Sequence, residues 1–88
     1  MPQIPAYIVW HDVEGELVLF DSRDGRHLSL NGTATIVWRS IARGEALAQI
    51  TERLAADYDA PRNVLEADIA AFVEFALSTG LLVAPVNA

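Results

Sequence analysis

The chain contains no cysteine and no lysine, and its six basic residues are all arginine. Without cysteine there is no disulfide framework, no thiol nucleophile and no cysteine-rich zinc site, so packing alone must hold the fold. Twelve acidic residues outnumber the six arginines and give a net charge of −6. Because nucleic-acid binding depends on clustered positive charge, this balance argues against a nucleic-acid ligand.

Long hydrophobic runs are also missing from the sequence. No apolar stretch approaches the roughly 20 residues that a membrane span needs, and residues 1–5 lack the basic segment that opens a secretory signal. We therefore expect a soluble, cytosolic protein with no membrane partner. The 88 residues are 52% hydrophobic and 20% charged, which predicts one packed globular domain.

The first third of the chain has the pattern of three β-strands. Residues 7–12 and 16–21 are rich in β-branched, aromatic and other apolar side chains, and residues 26–30 alternate polar with apolar. The segments 13–15 and 22–25 contain glycine and supply the turns between them. This order predicts an antiparallel meander.

The hydrophobic period changes to that of a helix after the meander. Asn31 is a good N-cap for a first helix, and Gly44 is placed to end it. A second helix is predicted over residues 47–58. A third begins at Pro61, where proline fits the first turn, and runs to Gly80.

The predicted fold class is therefore α+β, a winged helix-turn-helix-like layout of a three-stranded antiparallel sheet followed by three helices. Residues 81–83 predict a short terminal strand, and the residues before Tyr7 an extended lead-in. A winged helix suggests DNA binding, but residues 45–74 hold seven acidic and two basic residues, a charge that repels a major groove. An acidic adaptor in transcription stays open as an alternative.

The sequence offers no catalytic or metal-binding motif. His11 and His27 lie on separate predicted strands, without the close ligand spacing of a zinc site. No motif brings a hydroxyl nucleophile to either histidine, and each glycine stands alone rather than in a phosphate-binding loop. We predict a protein that is not an enzyme and that uses no cofactor.

One predicted surface is suited to binding a peptide. The third strand, residues 26–30, has one open side whose backbone groups can pair with an incoming strand. The apolar face of the third helix is too wide for the core alone and divides into two stripes. The stripe assigned to the core comprises Leu65, Ile69, Phe72 and Ala76. The adjacent stripe comprises Val64, Asp68, Ala71 and Phe75.

A peptide in this groove would pair its backbone with the third strand and place alternate side chains against Val64 and Phe75, with Asp68 receiving a cationic or hydroxyl group. The alternatives are that Val64 and Phe75 are core residues and that Asp68 is an ordinary helix acid. Charged residues of the third strand would then only protect a sheet edge. The candidate peptide-binding residues are Arg26, His27, Leu28, Ser29, Leu30, Val64, Asp68, Ala71, Phe72 and Phe75.

The run Leu-Phe-Asp-Ser-Arg-Asp-Gly-Arg-His-Leu-Ser-Leu-Asn-Gly-Thr-Ala, residues 19–34, resembles the signature of PqqD-like proteins, the peptide-binding domains called RiPP recognition elements. Downstream, residues 44–45, 50–54, 68–69 and 80–82 are similar to residues of that family. The resemblance covers residues 7–83, which implies a single domain over 1–88 with this segment as its core.

The family resemblance implies a domain that binds the leader segment of a ribosomally made precursor peptide and presents it to modifying enzymes. The leader would add as a strand beside residues 26–30 and against the third helix, residues 62–79. The sequence around Asp21, Arg23 and Gly25 is most similar to that of the stand-alone leader-binding proteins of lasso-peptide clusters. That similarity implies a separate cysteine-protease leader peptidase as partner, and a leader with an aromatic residue and a proline as anchors.

Three alternatives accompany this interpretation. A PqqD-type peptide chaperone in pyrroloquinoline quinone synthesis would share the family resemblance. The acidic winged-helix adaptor would share the layout, and a domain that only dimerises would use the same open edge. As a leader-binding protein, the chain is expected to be a monomer or a weak dimer.

Overall fold

Three antiparallel strands form one sheet in the order β1-β2-β3: β1 (Ile8–Val13), β2 (Glu16–Asp21) and β3 (Arg26–Leu30). The structure is a computed structural model that describes residues 2–30, 32–57 and 59–84. Gly15 and Gly25 occupy the turns with φ of 84° and 78°, a left-handed conformation that glycine adopts without strain. The bounds of β2 and β3 are those predicted, and β1 begins one residue later.

The register of the sheet places two sets of side chains on opposite faces. On β2, Leu17, Leu19 and Asp21 are buried, whereas Val18 and Phe20 between them are only half-buried. The buried residues of β2 are paired with Leu30, Leu28 and Arg26 of β3, respectively. Because side chains alternate along a strand, these three residues of β3 share the face that packs on the helices.

Three helices follow the sheet: α1 (Gly32–Ala42), α2 (Leu47–Asp57) and α3 (Arg62–Thr79). They agree with the predicted helices, and the α+β fold class is confirmed. The predicted N-cap Asn31 and the predicted last residue of the second helix, Tyr58, lie outside the described residues. No helix in the described ranges is both long and apolar enough to cross a bilayer.

Residues near the two ends of the described chain pair just after α3. Gly80 ends this helix in the left-handed conformation, with φ of 82°, as its sequence position predicted. The predicted terminal strand, residues 81–83, is reduced to one bridge in which Gln3 and Val83 exchange backbone hydrogen bonds of 2.8 and 2.9 Å. The bridge does not continue past Gln3 because Pro5, the next residue placed to donate toward residue 81, has no N–H.

The hydrophobic core lies between the sheet and the helices and is centred on Trp38, which has no exposed surface. Trp10 of β1 meets the Trp38 ring edge to face, with centroids 5.9 Å apart. The stripe of α3 that was assigned to the core packs there: Leu65, Ile69 and Ala76 are buried, and Phe72 is half-buried against the same core.

Candidate peptide-binding site

A cleft of about 110 Å³ opens between the end of the sheet and the C-terminal half of α3. The sheet supplies one wall, α3 the other, and the segment after α3 closes the end. Its lining residues are Leu19, Asp21, Arg26, His27, Leu28, Phe75, Thr79 and Leu81. Four of the predicted peptide-binding residues are therefore brought together here: Arg26, His27, Leu28 and Phe75.

β3 is an edge strand of the sheet, as predicted. Within the described ranges it pairs with β2 alone, so the backbone on its other side is available to a further strand. Arg26 and Leu28 face the helix side, whereas His27 and Ser29 lie on the opposite face of the sheet. The side chain of Leu30 is buried in the core, with 5% exposed, so this residue can offer only its main chain to a peptide.

The face of α3 that reaches the cleft carries exposed apolar side chains. Val64 and Phe75 have 44% and 47% of their surface exposed, which excludes the alternative that they are core residues. Asp68 and Ala71 are exposed on the same stripe. Of this stripe only Phe75 lines the cleft, and the other three residues continue the same helix face toward the start of α3.

Two predicted strand residues have partners of their own. Arg26 holds the carboxylate of Asp24 through its Nε at 2.6 Å, with most of its side chain exposed. The His27 ring lies against the Phe20 ring, with centroids 4.9 Å apart, on the sheet face turned away from the helices. Both residues are accessible along the open edge, and their peptide-binding role stays a prediction.

Asp21 and Thr79 belong to the cleft but were not among the predicted site residues. The carboxylate of Asp21 is 2% exposed and accepts hydrogen bonds from the Arg23 backbone N–H, Nε and Nη2 at 3.0, 3.1 and 2.8 Å. The side-chain hydrogen bonds from Arg23 lower the pKa of Asp21 below its ordinary value of 3.8. The sequence contains a signal for this burial. Asp21 follows Leu17 and Leu19 at intervals of two, so its side chain is on the same buried face of β2 and needs a cation as partner.

The ion pair at Asp21 predicts a pH dependence of stability. Since the pKa of Asp21 is lowered by folding, the stabilisation is complete above its unfolded value near 3.8 and is lost as the pH falls through the folded pKa. We expect Asp21→Asn to unfold at lower urea concentration than the wild type at pH 7. The gap between the two proteins should shrink below about pH 4, because a protonated Asp21 resembles asparagine.

Urea titrations at pH 7, 4 and 2.5 measure this gap. Glu45 and Glu52 also have pKa values lowered by their arginine partners, but they are present in both proteins and cancel in the difference. A gap that stays constant down to pH 2.5 would contradict the assignment of this pH dependence to Asp21.

Three antiparallel strands followed by three helices, with β3 open beside an apolar face of α3, define a small α+β domain. Residues 16–82 match the family model described as "Coenzyme PQQ synthesis protein D (PqqD)". The chain belongs to this family, and the predicted relationship to PqqD-like recognition elements is confirmed. None of the curated proteins matches the sequence.

Two solved structures have the same fold over nearly their whole length. TbiB1 in complex with the TbiA(beta) leader peptide has a TM-score of 0.87 at 21% identity, covering 97% of this chain and 99% of that one. A lasso peptide synthetase B1 complexed with the leader peptide has a TM-score of 0.88 at 26% identity, covering 94% of this chain and 98% of that one.

Proposed function

We propose that this protein binds the leader segment of a ribosomally synthesised precursor peptide in lasso-peptide biosynthesis. The observation that carries the proposal is the unpaired side of β3 next to a cleft whose other wall presents the exposed ring of Phe75. The similarity to lasso peptide synthetase B1, solved with a leader peptide, supports the same ligand class for this chain.

In this mechanism the leader pairs its backbone with β3 and becomes the fourth strand of the sheet. Its side chains alternate between the two faces, so every second one enters the space between Leu28 and Phe75. The main-chain hydrogen bonds set the register, and the apolar anchors supply most of the affinity. Val64 and Asp68 lie further along the same helix face and would meet the next part of the leader.

The protein carries out no chemical step in this proposal. It holds the precursor near a separate cysteine-protease leader peptidase and so raises the effective concentration of the cleavage site at that enzyme. The complex would form in the cytoplasm, where the precursor is synthesised, with the binding protein as a monomer or weak dimer. The family match also fits a peptide chaperone in pyrroloquinoline quinone synthesis.

Strand addition predicts a two-residue period in the effect of backbone methylation. A short open reading frame next to this gene, found by sequencing the flanking DNA, supplies the leader sequence. The probe is the synthetic leader with single N-methyl groups placed at successive positions. Methylation at alternate residues removes a donor to β3 and should weaken binding at least about tenfold, whereas methylation between them points away from the strand and should be tolerated. Fluorescence anisotropy of the labelled peptide measures each affinity.

The same peptide with a scrambled sequence is the control for binding through composition alone. Losses without a period of two would contradict strand addition, and absence of binding by the unmodified leader would overturn the proposed function. If the neighbouring genes encode enzymes of pyrroloquinoline quinone synthesis and the probe from their precursor peptide binds instead, the chaperone function replaces the lasso assignment.

A further inference from the structure

Arg23 lies where the turn between β2 and β3 meets the end of α3. Its Nη2 donates to a carboxylate oxygen of Asp21 at 2.8 Å and to the carbonyl oxygen of Thr79 at 3.2 Å. Its Nε donates to the other carboxylate oxygen of Asp21 at 3.1 Å. One guanidinium therefore joins the last residue of β2 to the last residue of α3.

Tyr7 strengthens the same junction from the start of the chain. Its ring lies under the guanidinium of Arg23, with the central carbon 4.1 Å from the ring centroid. Its hydroxyl donates to the carbonyl oxygen of Gly80 at 2.7 Å. The last carbonyls of a helix have no partner within the helix, and here two neighbouring ones are satisfied by side chains from the sheet end of the molecule. We call Tyr7, Asp21 and Arg23 with these two carbonyls the Arg23 clasp.

The clasp joins the two walls of the cleft. Asp21 lines the cleft on the sheet side and Thr79 lines it on the helix side. Phe75 lies one helical turn before Thr79, and the Thr79 hydroxyl donates to the Phe75 carbonyl at 2.9 Å. A shift of the helix end away from the sheet would therefore move the Phe75 wall relative to β3.

Gly80 is adapted to this junction. A Cβ atom at position 80 would lie 2.5 Å from Nη2 of Arg23, closer than such atoms approach one another. Glycine therefore serves two purposes here, since it also adopts the left-handed conformation that ends α3. The close approach of the guanidinium to the helix end depends on the missing side chain.

The clasp is buried on its Asp21 side, whereas the Arg23 side chain is 44% exposed. Exposed ion pairs contribute little to stability because water screens them, but the Asp21 carboxylate is 2% exposed and receives two side-chain hydrogen bonds from a single guanidinium. Removing the cation would leave a buried carboxylate with the single backbone N–H of Arg23. The junction is therefore fastened before any ligand binds.

We propose that Arg23 is a positioning residue of the peptide-binding site, which fixes the width of the cleft by fastening the end of α3 to the end of β2. This inference rests on the proposed function, and it adds a residue that acts through the helix wall rather than by touching the leader. A peptide that bridges β3 and Phe75 needs both walls at one separation. When Arg23 holds the two walls at that separation in the free protein, binding loses less conformational entropy and is therefore tighter.

The test is Arg23→Lys compared with Arg53→Lys. Lysine at 23 keeps a positive charge beside Asp21 but has no planar fork to hold the carboxylate and the Thr79 carbonyl together. Arg53 donates to Glu45 at 2.7 Å and to Ser40, and none of these three residues lines the cleft. We expect Arg23→Lys to weaken leader binding roughly tenfold, the effect of losing one charge-assisted hydrogen bond, and Arg53→Lys to leave it unchanged.

A second measurement needs no peptide. The Gly80 N–H donates to the Leu77 carbonyl and the Leu82 N–H donates to the Ala76 carbonyl, so hydrogen exchange of these two amides reports on the fastening of the helix end. Exchange at both should accelerate in Arg23→Lys. It should also accelerate in Tyr7→Phe, which removes only the hydroxyl that binds Gly80, and should not change in Arg53→Lys.

The outcomes separate this inference from the proposed function. If the wild type does not bind the leader, the proposed function is wrong, and the exchange rates still decide whether Arg23 fastens the helix end. If the wild type binds and Arg23→Lys binds equally well, the positioning role is wrong. Equal losses of affinity in the Arg23 and Arg53 variants would also overturn the positioning role, because such losses would reflect a drop in global stability. Urea unfolding of each variant measures that stability.

Discussion

Replacing Phe75 with alanine should weaken leader binding about a hundredfold, as expected for an aromatic anchor at the centre of a small interface. The ring is 47% exposed in the free protein, so its removal opens no cavity in the core. The free energy of unfolding should therefore change by only about 1 kcal/mol, the value of a half-exposed aromatic side chain. Isothermal titration with the synthetic leader and urea unfolding measure the two quantities.

Leu77 provides a matched control on the same helix. It is 41% exposed, almost as much as Phe75, but it lies on the flank toward α2, beside Leu47 and Ala70. Leu77→Ala should bind the leader like the wild type. For the exposed acid on the stripe of Phe75, Asp68→Ala should weaken leader binding without changing the midpoint of thermal unfolding. Equal affinity of the Phe75 and Leu77 variants would remove Phe75 from the site, and a loss of folding in Phe75→Ala would return it to the core.

Replacing Trp38 with alanine should have the largest effect on folding. The side chain is completely buried at the centre of the core, and truncating a buried tryptophan costs about 3–5 kcal/mol. Small domains are stable by only about 5–15 kcal/mol, so a large fraction of the stability should be lost. Urea unfolding followed by circular dichroism measures the loss.

Trp10 is the control for this substitution because it touches the same ring. Its side chain is 38% exposed on the edge strand β1, and its contact with Trp38 is edge to face. Trp10→Ala should therefore cost about 1–2 kcal/mol, the value of a half-exposed aromatic contact. If the two substitutions destabilise the protein equally, the core is not centred where the structure places it.

The proposed binding residues and the core residues lie on different sides of α3. Leu65, Ile69 and Ala76 of α3 are buried in the core, whereas Val64 and Phe75 are exposed on the neighbouring stripe. Successive residues of a helix are rotated by 100° about its axis, so the residues of the two stripes can be told apart from the sequence. This separation is why a substitution at the proposed site can remove affinity without unfolding the protein.

The sequence predicted the secondary structure well because the local signals were strong. Alternation defined β3, glycines with positive φ marked the turns, and proline and glycine bounded α3. The terminal strand was the weakest prediction, since residues 81–83 have strand composition but, in the part of the chain that the structure describes, pair only through the bridge from Val83 to Gln3. Pairing between distant segments is not encoded in local composition, so the sequence overstated this element.

The structure brings some of the predicted site residues together, and their role in binding stays a prediction. Arg26, His27, Leu28 and Phe75 meet at the cleft because β3 is an edge and α3 crosses beside it. The sequence missed Asp21 and Thr79, which are 58 positions apart and become neighbours of one cation only in the folded chain. A helical projection gives the direction of a side chain, but it does not tell which distant strand lies opposite.

By itself the sequence determined an acidic composition without cysteine and the α+β fold class, and its motifs determined the PqqD family. Composition, period and capping residues are local properties, and they suffice for those conclusions. Only the tertiary structure decided that Val64 and Phe75 lie outside the core and that Arg23 fastens one wall of the cleft to the other. Exposure and contacts across the chain depend on how the sheet and α3 pack, which no local pattern records.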